Sequence, residues 1–139
     1  MTTEYDAAYR RTSYWVEAPH EWIRLRVDAT SEALERFLAA RREKCWAFVT
    51  ADNPGSRPVP PAENALRRAD LREAIEGLNR ICFPGVSVGD DGTWPPELGF
   101  FVLGIEREAA LALGRRFGQN AILFGTRGKP VQLLACDAD

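Results

Sequence analysis

The residues best suited to chemistry lie on one face of a helix that follows a proline-rich segment. The apolar stripe of this helix is formed by Leu71, Ile75 and Leu78. Asn64, Arg67 and Arg68 precede Leu71 by seven, four and three residues, so the stripe becomes polar in the first turns. A buried face holds an amide and guanidinium groups only where they have partners. Two interpretations follow: Asn64 bonds the preceding loop while the arginines reach solvent, or these groups bind a ligand.

The loop before this helix is the second candidate. It reads DNPGSRPVPP from Asp52 to Pro61 and connects an apolar strand to the helix. Ligands collect at such connections in open sheets. Asn53, Ser56 and Arg57 supply polar groups, and a helix N-terminus with free N–H groups suits an anion. The loop lacks the GxxxxGKS/T and GxGxxG spacings, so it indicates a site without indicating a nucleotide.

Two later segments could face this loop. In TWPPE, Trp94 is a large apolar side chain in a polar turn, where a cover over the core is the favoured interpretation. Glu97 follows two prolines, and it or Asp52 is a candidate carboxylate base. In FGQNAIL, Gln119 and Asn120 stand between a helix and an apolar strand. These amides either cap the helix or offer donors and acceptors to a planar polar ligand.

The usual catalytic sets are scarce. His20 is the only histidine and lies in a predicted turn, so a Ser-His-Asp or Cys-His arrangement would depend on one exposed residue. Cys45 and Cys82 lie in apolar segments, and we expect both to be buried and unreactive. The histidine and the cysteines have no metal-ligand spacing, so we expect no metal and no cofactor. The sequence names neither a reaction nor a catalytic residue.

Composition sets broad limits on the function. The chain has 139 residues, of which 45% are hydrophobic and 27% charged, as in one globular domain. Its net charge of −2 gives no electrostatic footprint for nucleic acid or an acidic membrane surface. The polar first residues and the odd number of cysteines favour the cytoplasm and no disulfide. We expect one domain over 1–139, with flexible tails at 1–8 and 136–139.

The apolar periodicity predicts the order β-β-α-β-α-(β)-β-α-β-β. The predicted segments are strands 12–17 and 22–27, a helix from 30 or 31 to 44, strand 45–51, helix 62–79, a short apolar piece 81–88, strand 98–105, helix 106–117, and a hairpin of 120–125 with 130–135. Helices alternate with hairpins, so we expect a mixed β-sheet of five to seven strands with about three helices packed on it. This is an α+β (α/β-like) domain.

Four segments form a specific set of motifs when taken together. They are YRRTSYWV, TADNPGSR followed by ENALRRADL, DDGTWPPELGFFVLG and ALALGRRFGQNAILF. On these segments the chain resembles a bacterial family catalogued as domain of unknown function 3293. The resemblance extends from Tyr9 to Phe124. It implies a shared fold unit and motif set, and it implies no reaction.

The leading hypothesis is a polar pocket for a small polar or anionic metabolite, which the protein binds or acts on. One wall would hold Asn53, Ser56, Arg57, Asn64 and Arg67, and the other Glu97, Gln119 and Asn120. The competing hypothesis is a protein-interaction module, compatible with a homodimer, whose surface aromatics are Tyr5, Tyr9, Trp15 and Trp94. An accessory structural role comes third. The pocket requires Asn64 and one of the two arginines to be largely buried, at the C-terminal edge of the strand that contains Phe48.

Overall fold

The structure, a computed structural model, describes residues 4–92 and 94–136. Within these ranges the helices are α1 (Glu4–Arg10), α2 (Glu32–Arg41), α3 (Pro61–Gly77) and α4 (Arg107–Arg116). The strands are β1 (Thr12–Glu17), β2 (Trp22–Leu25), β3 (Cys45–Thr50), β4 (Ile81–Gly89), β5 (Glu97–Leu103), β6 (Ala121–Thr126) and β7 (Gln132–Ala135), and a 3-10 turn spans Pro54–Ser56. The predicted α+β class and the predicted strand number are confirmed.

The seven strands form one sheet in the order β2-β1-β4-β5-β3-β6-β7. The expectation of a mixed sheet needs a correction, because every ladder between these strands is antiparallel. α3 connects β3 to β4 and α4 connects β5 to β6, and each connection joins two strands of the same direction, as helical crossovers do. In both cases one antiparallel strand lies between the two connected strands. The element order alone does not reveal this insertion.

The sheet has an apolar core on each face. β3 pairs with β5 on one side and β6 on the other, as predicted for its continuous apolar sequence. Trp46 and Phe48 of β3 pack in the core under α2. Ala47 and Val49 point to the opposite face and pack in the core under α3 and α4. Helices on both faces therefore enclose the central strands.

Both long predicted helices extend too far at their C-terminal ends. Ser31, one of the two predicted starts of this helix, caps α2 by accepting a hydrogen bond from the Leu34 N–H at 3.1 Å. The helix then ends before Lys44, because Arg42 adopts a left-handed backbone with φ of 57°. In α3 the stripe residues Leu71 and Ile75 are fully buried, but the helix ends at Gly77. Leu78 consequently lies outside the stripe and is 44% exposed.

The segments expected to be tails are partly structured. α1 covers much of 1–8, and its Tyr9 packs against the core under α2. At the other end, Cys136 is buried and its N–H donates to the Asn120 carbonyl at 2.9 Å. Residues 1–3 and 137–139 lie outside the described residues. The short apolar piece at 81–88 is the full strand β4, whose pattern Pro84 and Gly85 interrupt.

We expect Gly85→Ala to lower the free energy of unfolding by about 1–3 kcal/mol, measured by urea denaturation. The added methyl would lie 2.4 Å from a ring carbon of Phe48 and 2.8 Å from the Trp15 carbonyl oxygen. Gly77→Ala is the matched control, because nothing lies within 4 Å of its added methyl. Equal stability of Gly85→Ala and the wild type would contradict the close packing of Phe48 on β4.

Candidate functional site

A cavity of about 360 Å³ opens at one end of the sheet, on the face that α2 covers. It is enclosed by α1, by β1, β4 and β5, by the end of β3, and by the loop that follows β3. Its lining residues are Ala8, Tyr9, Thr12, Tyr14, Thr50, Ser56, Ser87, Gly89, Trp94, Pro95 and Glu97. We call it the sheet-end cavity.

Strand register brings three of its polar side chains into one row. Tyr14 lies opposite Ser87 in the ladder of β1 with β4, and Ser87 lies opposite Glu97 in the ladder of β4 with β5. Side chains at paired positions point to the same face of a sheet, with Cβ atoms about 5 Å apart. Residues that are far apart in sequence therefore meet on the cavity floor.

The hydroxyl groups of the cavity differ in how firmly the protein holds them. Thr12 and Thr50 donate to backbone carbonyls at 2.7 and 2.9 Å. The Tyr14 and Ser87 hydroxyls also donate to backbone carbonyls, but each at 3.4 Å, the long limit of a hydrogen bond. The Tyr14 hydroxyl also forms a hydrogen bond with the Thr12 side chain. Of these four hydroxyls, that of Ser87 is therefore the one most able to exchange its bond for a contact with a ligand.

Glu97 is the acidic residue of the cavity. Its Oε2 atom accepts two hydrogen bonds of 2.8 Å, one from the Asn53 Nδ2 and one from the Trp94 Nε1. Burial raises the pKa of the Glu97 carboxyl above its usual value, and the nearby negative charge of Asp52 acts in the same direction. The two N–H donors oppose the rise without cancelling it. Such a carboxyl can accept or release a proton at a higher pH than an exposed glutamate.

Asn64 on α3 holds Asn53 in the position that reaches Glu97. The Asn64 Oδ1 accepts from the Asn53 backbone N–H at 2.9 Å, and its Nδ2 donates to the Asn53 Oδ1 at 3.0 Å. The Asn53 Oδ1 also accepts from the Val59 N–H at 3.1 Å. These backbone donors fix which end of each amide is oxygen. A continuous chain of hydrogen bonds thus runs from α3 through the loop to the cavity.

The loop has an unusual backbone that its neighbours stabilise. Asn53, Gly55 and Ser56 all have left-handed backbones, with φ of 48°, 65° and 61°. The Gly55 N–H donates to the Gly118 carbonyl at 2.7 Å. The Ser56 hydroxyl accepts from the Asn120 Nδ2 at 2.7 Å. The segment after α4 therefore holds the loop that carries one side of the cavity.

Arg67 and Gln119 hold the two segments together through carbonyl groups. The Arg67 Nε donates to the Ala51 carbonyl at 2.6 Å, and its Nη2 donates to the Phe117 carbonyl. The buried Gln119 amide donates to the carbonyls of Asp52 and Phe117 at 3.1 and 3.2 Å. These donors give hydrogen-bond partners to backbone carbonyl groups at the ends of β3 and α4. Their bonding is that of structural residues.

A second cavity, of about 340 Å³, lies on the other side of the loop and of Trp94. Its lining residues are Asp52, Asn53, Pro58, Val59, Pro61, Asn64, Arg68, Trp94, Pro95, Pro96 and Leu98. The Asp52 carboxylate, in a residue only 5% exposed, accepts from the Arg68 Nη1 at 3.0 and 3.1 Å. This charged pair joins the loop to α3. Asp52 lines the second cavity, whereas Glu97 is the acidic residue in the lining of the sheet-end cavity.

Residues 49–122 match the family described as Protein of unknown function (DUF3293), over more than half of the chain. The chain belongs to this family. No curated protein and no solved structure matches it. The part that matches DUF3293 contains the loop, Glu97 and both amides after α4. The cavity residues of α1 and β1 precede the matched part.

The sequence-predicted residues of this DUF3293 protein line one of the two cavities, bond the loop and its neighbours, or are exposed. Ser56 and Glu97 line the sheet-end cavity, and Asn53 and Asn64 line the second cavity. Arg67, Gln119 and Asn120 bond the loop or its neighbouring carbonyls. Arg57 is exposed, and within the described residues its side chain makes no hydrogen bond or ion pair. The role of these residues in ligand binding stays a prediction.

The burial expected for the polar start of α3 is found in part. Asn64 is 9% exposed and lies beside the end of β3, and it bonds the loop backbone as one interpretation required. Arg67 and Arg68 are half-buried and face carbonyls or Asp52 rather than open solvent. The polar start of the stripe therefore marks groups with protein partners.

Sequence reasoning missed Tyr9, Thr12, Tyr14, Thr50 and Ser87 as cavity residues. One signal was present, because Tyr14 shares the inward face of β1 with Val16 and places a hydroxyl in the core. Thr50 stands at the end of an otherwise apolar strand. Ser87 had no signal, since its role depends on the pairing of β4 with β1 and β5.

Two features are absent from the described parts of the chain, 4–92 and 94–136. No three residues among His, Cys, Asp and Glu cluster as they would around a metal ion. None of the helices there has the length and apolar character needed to cross a membrane.

Asn64→Ala is expected to lower the free energy of unfolding by about 1–3 kcal/mol, because it leaves the Asn53 N–H without its partner and removes one of the two donors to the Asn53 Oδ1. Urea denaturation measures the change. Arg72→Ala is the control on the same helix, since Arg72 is exposed and forms an ion pair with the exposed Glu76, and we expect a change below about 0.5 kcal/mol. A similar small loss in both variants would contradict the role of Asn64.

The raised pKa of Glu97 predicts a pH-dependent difference between the wild type and Glu97→Gln. The folded-state pKa lies above the usual 4.5, so the stability linked to Glu97 is complete below that pH and is lost as the pH rises through the folded-state value. Glutamine does not titrate and keeps an acceptor oxygen. The variant should therefore gain stability relative to the wild type between pH ~4 and pH ~7. Denaturant unfolding across this range measures it, and parallel curves would show that burial does not perturb Glu97.

Proposed function

We propose that the sheet-end cavity binds a small polar metabolite. One observation carries the proposal: a half-buried carboxylate, fixed by two N–H donors, lines a cavity together with the hydroxyl residues Tyr14 and Ser87. The volume of about 360 Å³ lies within the range of small-molecule sites. Fixed polar groups on an apolar wall are what such sites use to orient a ligand.

The lining favours a neutral or cationic ligand over an anionic one. None of the residues that line the cavity is lysine, arginine or histidine. Arg57 is exposed and is not among the residues that line the cavity. The N–H groups of Glu63 and Asn64 at the start of α3 both donate to the Pro60 carbonyl. The anion-binding form of the hypothesis therefore has less support than the polar, uncharged form.

The same carboxyl group could also transfer a proton. A carboxyl group with a raised pKa, held in one orientation, suits proton transfer to or from a bound ligand. Tyr14 and Ser87 would position that ligand. We also propose a cytoplasmic location, which the odd number of cysteines favours.

An exposed apolar surface favours an interaction module as the second candidate. Trp15, Trp22 and Val88 lie on the face of β1, β2 and β4 that is opposite to α2, and Trp22 is 55% exposed. Of the other aromatics in this hypothesis, Tyr9 and Trp94 line the cavity instead. The side chain of Tyr5 lies outside the described residues. In this second candidate, the exposed surface would meet another copy of the chain.

A thermal-shift screen against pooled metabolites tests the proposed function. We expect some uncharged or cationic polar compounds to raise Tm, and Ser87→Leu to weaken them roughly tenfold or more, equivalent to ~1.4 kcal/mol, because leucine fills the cavity. Arg57→Ala is the control and should bind them as the wild type does. Loss of binding in Arg57→Ala but not in Ser87→Leu would show that the ligand binds at the exposed side of the loop and not in the sheet-end cavity. No stabilising compound, together with concentration-dependent dimers in sedimentation, would favour the interaction module.

A further inference from the structure

We infer that the ligand of the sheet-end cavity carries a protonated amine, which binds the Glu97 carboxylate. The inference rests on the proposed function and adds the chemical class of the ligand. It is drawn from the charges, the free acceptors and the aromatic side chains of the cavity.

Among the residues that the structure describes, no basic side chain bonds Glu97 or lines the cavity with it. Its two hydrogen-bond donors, Asn53 and Trp94, are neutral, and the lining contains no basic residue. The neighbouring acid Asp52 is already bonded to Arg68. A half-buried carboxylate in such surroundings is stabilised most by an incoming cation.

The acceptors of the cavity match the donors of an ammonium group. Both protein donors bond the same Glu97 oxygen, Oε2, and within the described residues Oε1 accepts no hydrogen bond. Ser87 lies across the ladder from Glu97, Tyr14 lies across the next ladder from Ser87, and all three residues line the cavity. An ammonium group has three donors, so one can bond Oε1 while the others remain for hydroxyl oxygens of the cavity.

The aromatic side chains favour the same class of ligand. Tyr9, Tyr14 and Trp94 line the cavity together with Glu97. Aromatic rings attract cations through their negative faces, and the attraction grows where water is excluded. A carboxylate or phosphate ligand would instead meet the negative charge of Glu97 without a compensating cation. With about 360 Å³ available, the ligand is a small amine.

Matched probes of different charge test this inference on the unmodified protein. The probes are n-butylammonium, n-butanol and butyrate, which share one alkyl chain. Amide chemical shifts followed by two-dimensional NMR should show saturable binding of n-butylammonium around Tyr14, Ser87 and Glu97. A charge-assisted hydrogen bond predicts about ten- to a hundred-fold weaker binding of n-butanol, and butyrate should be the weakest.

Two glutamate variants assign the effect to one carboxylate. Glu97→Gln should weaken n-butylammonium about ten- to a hundred-fold while changing n-butanol little. Glu63→Gln removes an exposed carboxylate of α3 outside the cavity, and it should bind both probes as the wild type does. Equal loss in both variants would show general charge attraction and would overturn the assignment.

The two levels of the proposal fail differently. If n-butanol binds the cavity as tightly as n-butylammonium, the amine class is wrong and the proposed binding function stands. If no probe shifts the cavity resonances and no pooled metabolite raises Tm, both are wrong.

Discussion

The double hydrogen bond between the side chain of Asn64 and Asn53 is the contact on which the candidate site depends. It satisfies the backbone N–H of Asn53 and fixes an amide whose other end donates to Glu97. Asn53 and Ser56 have left-handed backbones, a conformation that costs about 1 kcal/mol or more for a residue other than glycine. The bonds from Asn64 and Asn120 offset this cost. The carboxylate therefore owes its orientation to the nearby Trp94 and, through Asn53, to side chains far from it in sequence.

The antiparallel pairing supplies the other half of the site. α3 and α4 each connect strands of the same direction, and each pair of strands has an antiparallel strand between its members. That insertion places β5 between β3 and β4. Glu97 on β5 therefore lies next to Ser87 on β4, and β4 separates it from Tyr14 on β1. A parallel arrangement would have placed other residues beside Glu97. The cavity and its charge thus follow from strand order.

The polar residues of the site are of two kinds, those that hold the loop in place and those that line the cavity. Arg67 and Gln119 bond carbonyls and keep the loop against the segment after α4. Glu97, Tyr14 and Ser87 keep bonding capacity toward the cavity. The sequence marked the first kind well, because polar residues interrupt an apolar helical stripe there. Of the second kind, Glu97 was predicted and Tyr14 had a signal in the inward face of β1, whereas a small hydroxyl residue such as Ser87 has no local signal.

The sequence by itself determined the central strand β3, the start of α2 at residue 30 or 31 and the need for a partner at Asn64. These follow from local periodicity and from the cost of burying a polar group, which act within a few turns of chain. The tertiary structure decided the strand order, the role of α1 and the meeting of Tyr14 and Ser87 with Glu97. These depend on pairing between strands up to ~80 residues apart, whose register is set by the whole sheet and is not encoded in any one segment.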